Sequence, residues 1–375
     1  MDLCDVAGCG SVVNSAPRIP TAGARCFSHW RSELVEATTG AAELVGQGYS
    51  LGDYYEVGRE KVREYARAVQ DFHPAHWDDA AAAKLGYTGL VAPTTFVSTP
   101  AMLCNRRLFE TVIADVTGYN MYVQTDQVFE MYKPVVAGDQ LHTDVEVTQV
   151  RTIAGKDLIT ATNHFYDQSG EVAQIMRTTV VGVSAEDGID ADVTGLAAGV
   201  VMHGVNAERN DNDREVHTMS HDYKVSDVSR TRAPQTAMKF EQLSVGDELP
   251  ARTAQLTRGD LVNYAGVSGD ANPIHWHDKS ASLAGLPDVI AHGMLTMGLG
   301  AGFVTDWLGD PGAMLRYSVR LSNYTIVESN AASSIEFTGR IKSLDAENRT
   351  ATVMIIAKSG GRKVFGLATA EVRLG

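Results

Sequence analysis

The stretch YAGVSGDANPIHW, residues 264–276, indicates how the whole chain is built, because residues 65–77 carry a related stretch, YARAVQDFHPAHW. The alignment needs no gap, and it pairs Asp71 with Asp270, His76 with His275 and Ala92 with Ala291. An unbroken register over this distance is typical of an internal duplication. The sequence therefore predicts two copies of one fold.

Around each copy, an apolar helix precedes runs of alternating polar and apolar residues. The helix is predicted near residues 94–113 in the first half and as GMLTMGLGAGFVTDWLG in the second. Each half is predicted to be α+β, with an antiparallel sheet of about five strands wrapped around its helix. The two sheets are expected to pair as a pseudo-dimer. Glycines at 293, 298, 300 and 302 would let the second helix lie close to its sheet.

Composition places the chain among globular proteins. Its 375 residues, 44% of them hydrophobic, suffice for two sizeable cores. The formal net charge of −14 disfavours nucleic acid and anionic lipid as main partners. No apolar run of about 18 residues predicts a membrane span, and the first residues do not have the pattern of a signal peptide. A cytoplasmic location is therefore expected.

Changes in composition along the chain predict four segments. Polar residues dominate 185–236 without an apolar period, which predicts a flexible linker. The predicted boundaries are 1–35 for a small N-terminal module, 49–184 for the first half, 185–236 for the linker and 237–375 for the second half.

The N-terminal module is predicted to bind a structural zinc ion. Its potential ligands follow the spacing C-x4-C-x16-C-x2-H, and they are Cys4, Cys9, Cys26 and His29. Such a short segment cannot bury a stable core, so a metal would supply the missing folding free energy. The segment resembles small treble-clef-like zinc modules. The alternative is a set of scattered reduced thiols. Its few basic residues favour protein docking or structural capping over nucleic-acid binding.

Residues 264–275 resemble the signature of the MaoC-like (R)-specific enoyl hydratase/dehydratase family. The shared pattern is an aromatic residue, Gly-Asp, Asn-Pro, and a histidine five residues after the aspartate. The sequence AHGM at 291–294 matches a second marker of the family. This resemblance implies a double hotdog fold, with two helix-wrapped antiparallel sheets forming the pseudo-dimer.

The resemblance also implies the catalytic residues. Asp270 and His275 would form the acid-base pair, Asn272 would orient them, and the backbone N–H of Gly293 would donate to the thioester oxygen. Hydration of an enoyl thioester requires proton transfer at two carbons and stabilisation of enolate-like charge, which these groups suit. The alternative for Asp270 and His275 is an N-cap aspartate and a hydrogen-bonded loop histidine. The residues predicted to contact substrate are Tyr264, Pro273, Ala291, Asp71 and His76.

The two halves further resemble the two subunits of the heterodimeric (3R)-hydroxyacyl-ACP dehydratase of mycolic-acid-type fatty acid synthase II. The first half resembles the substrate-binding subunit, through phrases such as GYTGLVAPTTF and YKPVVAGDQL. The second half resembles the catalytic subunit. This likeness implies an acyl-ACP or acyl-CoA substrate, an association with fatty acid synthase II components, and no cofactor for catalysis. The pseudo-dimer could act as a monomer or form homo-oligomers.

The first half keeps Asp71 and His76 at the catalytic spacing but departs from the pattern around them. Gln70 replaces Gly269, His73 replaces Asn272, and Pro93-Thr94 replaces His292-Gly293. We therefore expect a degenerate first site whose space accommodates the distal acyl chain. His277 and His292 are interpreted as structural or supporting residues. A competing hypothesis is a non-catalytic acyl-thioester binding protein, against which the complete GDANPIH motif argues.

Overall fold

The computed structural model describes residues 34–35, 40–119, 121–183, 196, 200–201, 217–219 and 222–375. The strands are β1 Leu34–Val35, β2 Gln47–Ser50, β3 Tyr55–Glu56, β4 Met121–Met131, β5 Gln140–Ile153, β6 Lys156–Tyr166, β7 Glu171–Val183, β8 His217–Thr218, β9 Lys224–Val225, β10 Glu248–Leu256, β11 Met314–Leu321, β12 Ser333–Asp345, β13 Thr350–Ser359, β14 Arg362–Lys363 and β15 Phe365–Arg373. The α-helices are α1 Arg59–Ala68, α2 Asp79–Lys84, α3 Ser98–Arg107, α4 Ala114–Thr117, α5 Val228–Thr231, α6 Arg258–Ser268, α7 Asp278–Leu283 and α8 Gly293–Leu308. A π-helix, Leu108–Ile113, joins α3 to α4.

The long strands form one continuous antiparallel sheet, ordered β10-β12-β13-β15-β11-β4-β7-β6-β5-β2-β8. Strands β4 and β11 join the halves, with Phe129 opposite Tyr317 in the register. The ion pair between Arg320 Nε and Asp126 Oδ1, at 2.9 Å, crosses the same junction. The predicted pairing of two sheets into a pseudo-dimer is therefore confirmed, and the halves belong to one compact unit.

Helix α8 lies against the sheet of the second half and is almost entirely buried. Its glycines make this close approach possible. A Cβ atom at Gly300 would lie 2.6 Å from the Tyr317 hydroxyl oxygen and 3.1 Å from Phe365 Cε2. The same hydroxyl donates to the carbonyl of Met297 at 3.1 Å. The prediction that glycine lets this helix approach its sheet agrees with the contacts of Gly300, whereas a Cβ atom at Gly298 would meet Val69 of the first half at 2.5 Å.

The first-half helix differs from the single helix predicted near residues 94–113. Residues 94–97 form a turn, α3 begins at Ser98, and the π-helix interrupts it after Arg107. Pro100 lies in the first turn of α3, where its missing N–H leaves no broken hydrogen bond. The halves are therefore asymmetric where each central helix begins.

Two further helices, α1 and α6, pair across the pseudo-twofold relation between the halves. Tyr65 on α1 and Tyr264 on α6 are fully buried, with ring centroids 6.2 Å apart. Thr257 caps α6 together with Asp260, whose side chain accepts the N–H of Thr257 at 2.7 Å. Each helix contains the first residues of one copy of the repeated stretch. The pairing of the helices therefore places both copies near the boundary between the halves.

The last part of the predicted flexible linker, residues 222–236, is packed against both halves. Strand β9 pairs in parallel with β7. Arg232 donates to the carbonyl of Leu85 at 3.0 Å and to Asp310 Oδ2 at 2.7 Å. Asp310 is completely buried. Residues 222–236 are therefore held by polar contacts such as this ion pair, and not by a row of apolar side chains. Residues 222–236 are thus held against both halves, whereas the linker bounds of 185–236 and the start of the second half at 237 stay predictions.

The predicted zinc ligands Cys4, Cys9, Cys26 and His29 lie outside the described residues. Among the described residues, no helix is long and apolar enough to cross a membrane.

Candidate active site

The loop after α6 holds two of the predicted catalytic residues, Asp270 and Asn272. Helix α6 ends at Gly269, which has a left-handed backbone with φ of 80°. The N–H of Asn272 donates to Asp270 Oδ1 at 3.2 Å, and Asn272 Oδ1 accepts the N–H of Ile274 at 3.3 Å. These short-range hydrogen bonds are typical of Asx turns. They fix both side chains beside the short 3-10 helix Pro273–His275.

His275 presents one unprotonated ring nitrogen to the site. Its Nδ1 lies 2.8 Å from the carbonyl oxygen of Ile290. Because a carbonyl oxygen only accepts, Nδ1 carries the proton and Nε2 keeps a lone pair in the neutral ring. Burial lowers the pKa of His275, and the nearby Asp270 charge offsets this only in part. The ring is therefore neutral near pH 7 and can accept a proton at Nε2.

His292 and Gly293 lie at the start of α8, beside this pair. Gly293 is the first residue of the helix, so its N–H has no acceptor within the helix. A helix N-terminus also favours negative charge. A Cβ atom at Gly293 would lie 2.9 Å from Leu321 Cδ1. A larger residue at this position would therefore have to displace the end of the Leu321 side chain.

Asp270, His275 and His292 form a compact group, in which one ligand atom from each residue lies within 4.8 Å of the others. Two imidazoles and a carboxylate are a donor set that divalent transition metals accept. The two imidazole rings are stacked, however, with centroids 3.9 Å apart and planes at 28°. Their in-plane lone pairs would need a ring rotation to converge on one ion, whereas the observed arrangement suits proton transfer directly.

In the first half, the corresponding residues Asp71 and His76 lie in direct contact. His76 Nδ1 donates to the carbonyl of Val91 at 2.6 Å, as His275 does to Ile290. His76 Nε2, however, lies 3.3 Å from Asp71 Oδ2, and both residues are buried. The Thr305 hydroxyl donates to the same carboxylate oxygen at 3.5 Å. The first-half pair is thus a buried ion pair that α8 covers, although His76 Nε2 makes no hydrogen bond.

The charges of this closed pair stabilise each other. Burial alone would lower the pKa of His76, but the adjacent Asp71 carboxylate outweighs burial and raises it. Burial alone would raise the pKa of Asp71, but the His76 imidazole outweighs it and the pKa lies below its usual value. His73 stands where Asn272 stands in the second half, and its Nε2 lies 3.1 Å from the carbonyl oxygen of Gly309.

The remaining predicted substrate-contact residues lie behind the catalytic loop. Tyr264 is buried between Tyr65 and His292. Pro273 is buried in the 3-10 helix, and Ala291 is buried with its N–H bonded to the carbonyl of Thr325 at 2.8 Å. Their contact with substrate stays a prediction.

The first half also supplies side chains to the second-half loop, and these were not found from the sequence. Lys61 Nζ donates to the carbonyl of Val267 at 2.6 Å, and Arg106 Nη2 donates to the carbonyl of Gly269 at 3.1 Å. Gln124 Oε1 would lie 3.3 Å from a Cβ atom at Gly293. Only the register of the repeat could have indicated Arg106. It aligns Arg106 with Thr305, and Thr305 contacts Asp71 of the opposite half.

Two family models match the chain. The description "FAS1-like, dehydratase domain region" matches residues 43–176, and "MaoC like domain" matches residues 240–358. A solved structure described as a MaoC-like dehydratase is 54% identical, with a TM-score of 0.83, and the match covers 89% of this chain and all of that one. The chain is thus a dehydratase-type protein built from two related halves. It belongs to the MaoC-like dehydratase family.

Two other matches describe the halves and the fold. A UPF0336 protein from Mycolicibacterium paratuberculosis is 42% identical over 145 residues, which cover 39% of this chain and 91% of that protein. The double hotdog protein RV0216 from Mycobacterium tuberculosis is 13% identical, with a TM-score of 0.56, and the match covers 89% of this chain and 98% of that one. The double hotdog fold implied by the sequence resemblance is therefore confirmed.

Proposed function

We propose that this protein interconverts (3R)-hydroxyacyl thioesters and trans-2-enoyl thioesters by removal or addition of water. Family membership supports the dehydratase class. The observation that carries the proposal is the cluster of Asp270, His275 and His292, whose ligand atoms lie within 4.8 Å of one another, with His292 directly before Gly293 at the start of α8. The proposed substrate is carried by acyl carrier protein or coenzyme A, within a type II fatty-acid elongation system.

In the hydration direction, His275 Nε2 accepts a proton from water while the water oxygen attacks C3. Asp270 accepts a hydrogen bond from the same water and stabilises the imidazolium that forms. Negative charge develops on the thioester oxygen, where the Gly293 N–H and the α8 N-terminus stabilise it. The proton on His275 is then delivered to C2, which completes the addition of one water molecule. Dehydration follows the reverse path.

We assign the first half to binding and support rather than to chemistry. His76 Nε2 lies 3.3 Å from Asp71 Oδ2 in a buried ion pair, although it makes no hydrogen bond of good geometry, and Thr305 lies against the same carboxylate. A site closed in this way leaves no exposed lone pair for a substrate proton. The predicted use of this half for the distal acyl chain, including contacts near Asp71 and His76, remains part of the proposal.

The test follows the conjugated enoyl-thioester absorbance when the purified protein is mixed with a medium- or long-chain trans-2-enoyl-CoA, and then with the matching ACP thioester. Loss of absorbance with the wild type but not with Asp270→Asn would support the proposal. If neither thioester reacts but a labelled acyl thioester still binds, the protein is an acyl-thioester binding protein instead.

We also propose that Cys4, Cys9, Cys26 and His29 hold a structural zinc ion, on the basis of ligand type and spacing. Metal analysis of the purified protein, compared with a Cys4→Ser/Cys26→Ser variant, tests this. About one zinc ion per wild-type chain and none in the variant is expected. No metal in either protein would leave the thiols as scattered reduced cysteines. The cytoplasmic location and the choice between monomer and homo-oligomer stay predictions.

A further inference from the structure

His292 touches each part of the catalytic group. Its ring stacks on His275 with centroids 3.9 Å apart. Its Nε2 lies 3.3 Å from the backbone carbonyl oxygen of Asp270, so Nε2 carries the proton and donates to that carbonyl. It is also the N-cap residue of α8, directly before Gly293. The residue is completely buried, so its contacts are with the site rather than with solvent.

The first half shows what the loop does without this histidine, because Pro93 occupies the equivalent position. There, the indole N–H of Trp77 donates to the carbonyl of Asp71 at 3.1 Å. In the second half, the equivalent Trp276 donates one residue further on, to the carbonyl of Ala271 at 3.3 Å. The carbonyl of Asp270 instead accepts a hydrogen bond from His292 Nε2. The backbone of the two loops is therefore held differently at the aspartate.

The side chains of Asp71 and Asp270 also differ between the two halves. Asp71 and His76 form an ion pair at 3.3 Å, whereas within the described part of the chain Asp270 forms no ion pair with His275. His292 binds the backbone of the aspartate that forms no ion pair, and the half that carries Pro93 at the equivalent position has the ion-paired aspartate.

We propose that His292 is a positioning residue, which holds the Asp270 backbone so that the carboxylate stays apart from His275 and both groups face the substrate. The purpose of this role rests on the proposed function, but the contacts that His292 makes do not depend on it. Loss of the hydrogen bond to Asp270 would let the second-half pair close as the first-half pair has closed.

Asp270 on the same loop is the charged group that acts on His275, and His292 at the start of α8 stacks on its ring. Farther out, Tyr264 on α6 packs against His292, while Lys61 on α1 and Arg106 on α3 bind the carbonyls of Val267 and Gly269. Burial, together with the neighbouring His275, lowers the pKa of His292 to about 3, so His292 stays neutral throughout a normal assay. Burial keeps the Tyr264 hydroxyl protonated by raising its pKa well above the usual value. Among these groups, the distance of Asp270 is what can change the charge state of His275.

The experiment measures the pKa of His275 by NMR titration of the histidine rings in the full-length protein, with its resonance assigned from a His275→Gln sample. The test variant is His292→Phe, which retains an aromatic ring but cannot donate to Asp270. The conservative variant is His292→Gln, whose amide N–H can reach the same carbonyl. His277→Phe serves as the matched control, since His277 caps α7 and contacts Ser280 instead of the catalytic pair.

Closure of the pair raises the pKa of His275, as the Asp71 contact raises that of His76. We expect this rise in His292→Phe, little change in His277→Phe, and an intermediate or wild-type value in His292→Gln. In the enoyl-thioester assay, the acid limb of kcat/KM should move to higher pH in His292→Phe. Its kcat should fall on the order of 10–100-fold, the size expected for a misplaced catalytic group.

An unchanged pKa of His275 in a folded His292→Phe protein would overturn the proposal, whatever happens to kcat. If this variant does not fold, His292→Leu, which also lacks the donor, takes its place. The NMR titration needs no substrate. A wild-type protein without thioester activity would therefore defeat the proposed function, while the titration would still decide the role of His292.

Discussion

Oδ2 of Asp71 lies 3.3 Å from Nε2 of His76, and neither side chain reaches solvent. In the equivalent pair, a carboxylate oxygen of Asp270 lies within 4.8 Å of a ring nitrogen of His275, and Asp270 remains partly exposed. Two copies of one motif thus differ, because the first pair is a fully buried ion pair and the second includes a partly exposed carboxylate. The difference lies in the residues around the pair, since the aspartate and histidine themselves are the same.

Substitution of the two aspartates should separate the roles of the halves. Asp270→Asn removes the carboxylate beside the reacting water, and a loss of about 10²–10⁴-fold in kcat is expected. Asp71→Asn should retain most of the turnover per folded molecule, because Asp71 is covered by Thr305. Initial rates with enoyl thioester, normalised to folded protein, measure both. Equal losses in the two variants would show that the first half is also catalytic.

The closed pair should make stability depend on pH. The lowered pKa of Asp71 contributes stability that is complete above about pH 4 and is lost as pH falls through the folded-state value. The raised pKa of His76 contributes stability that is complete below about pH 6.5 and is lost as pH rises through its folded-state value. The pair therefore stabilises the protein most between these limits.

A His76→Gln variant tests this dependence. Urea denaturation is measured at about pH 6, where the stability contributed by His76 is complete, and at about pH 8.5, where part of it has been lost. The wild type should lose more free energy of unfolding between these two pH values than the variant does. The variant should also be about 3–5 kcal/mol less stable at the lower pH, because it leaves the buried Asp71 carboxylate without its partner. The same pH dependence in both proteins would contradict the assignment.

Two glycine-to-alanine substitutions should have opposite effects on stability. Gly300→Ala places a methyl group 2.6 Å from the Tyr317 hydroxyl oxygen in a full core, so a loss of about 1–3 kcal/mol is expected. Gly266→Ala, on the exposed face of α6, meets no atom within 4 Å and should gain about 0.5–1 kcal/mol. Urea denaturation of the two variants measures the difference. A stable Gly300→Ala protein would mean that α8 does not approach its sheet this closely.

Arg232 should be essential for the packing of residues 222–236. Its guanidinium is the ion-pair partner of the buried Asp310 carboxylate, at 2.7 Å. Arg232→Ala should cost about 3–5 kcal/mol, because it leaves a buried charge without a counterion. The matched control is Arg316→Ala, which breaks a half-exposed pair with Glu130 and should cost less than about 1 kcal/mol. Thermal denaturation of both variants checks this, and equal effects would place Asp310 in contact with solvent.

The duplication and the strand pattern were predictable, because period-two alternation and the register of the repeat are local properties of the sequence. The cap of α6 by Thr257 and Asp260 was predictable for the same reason. The packed stretch 222–236 was not, since its order comes from Arg232 reaching Asp310, a contact across 78 residues. The site was foreseen only where the motif is continuous. Arg106 and Gln124 reach it from the other half, and no local pattern marks them.

The pairing of β4 with β11 has a consequence for how this protein behaves in dilute solution. A catalytic loop that is held by Lys61 and Arg106 of the other half would lose these contacts if the halves were separate chains at low concentration. Here they are covalently tethered, so their effective concentration does not depend on how much protein is present. Specific activity should therefore stay constant on dilution, and the two halves are always synthesised in equal amounts.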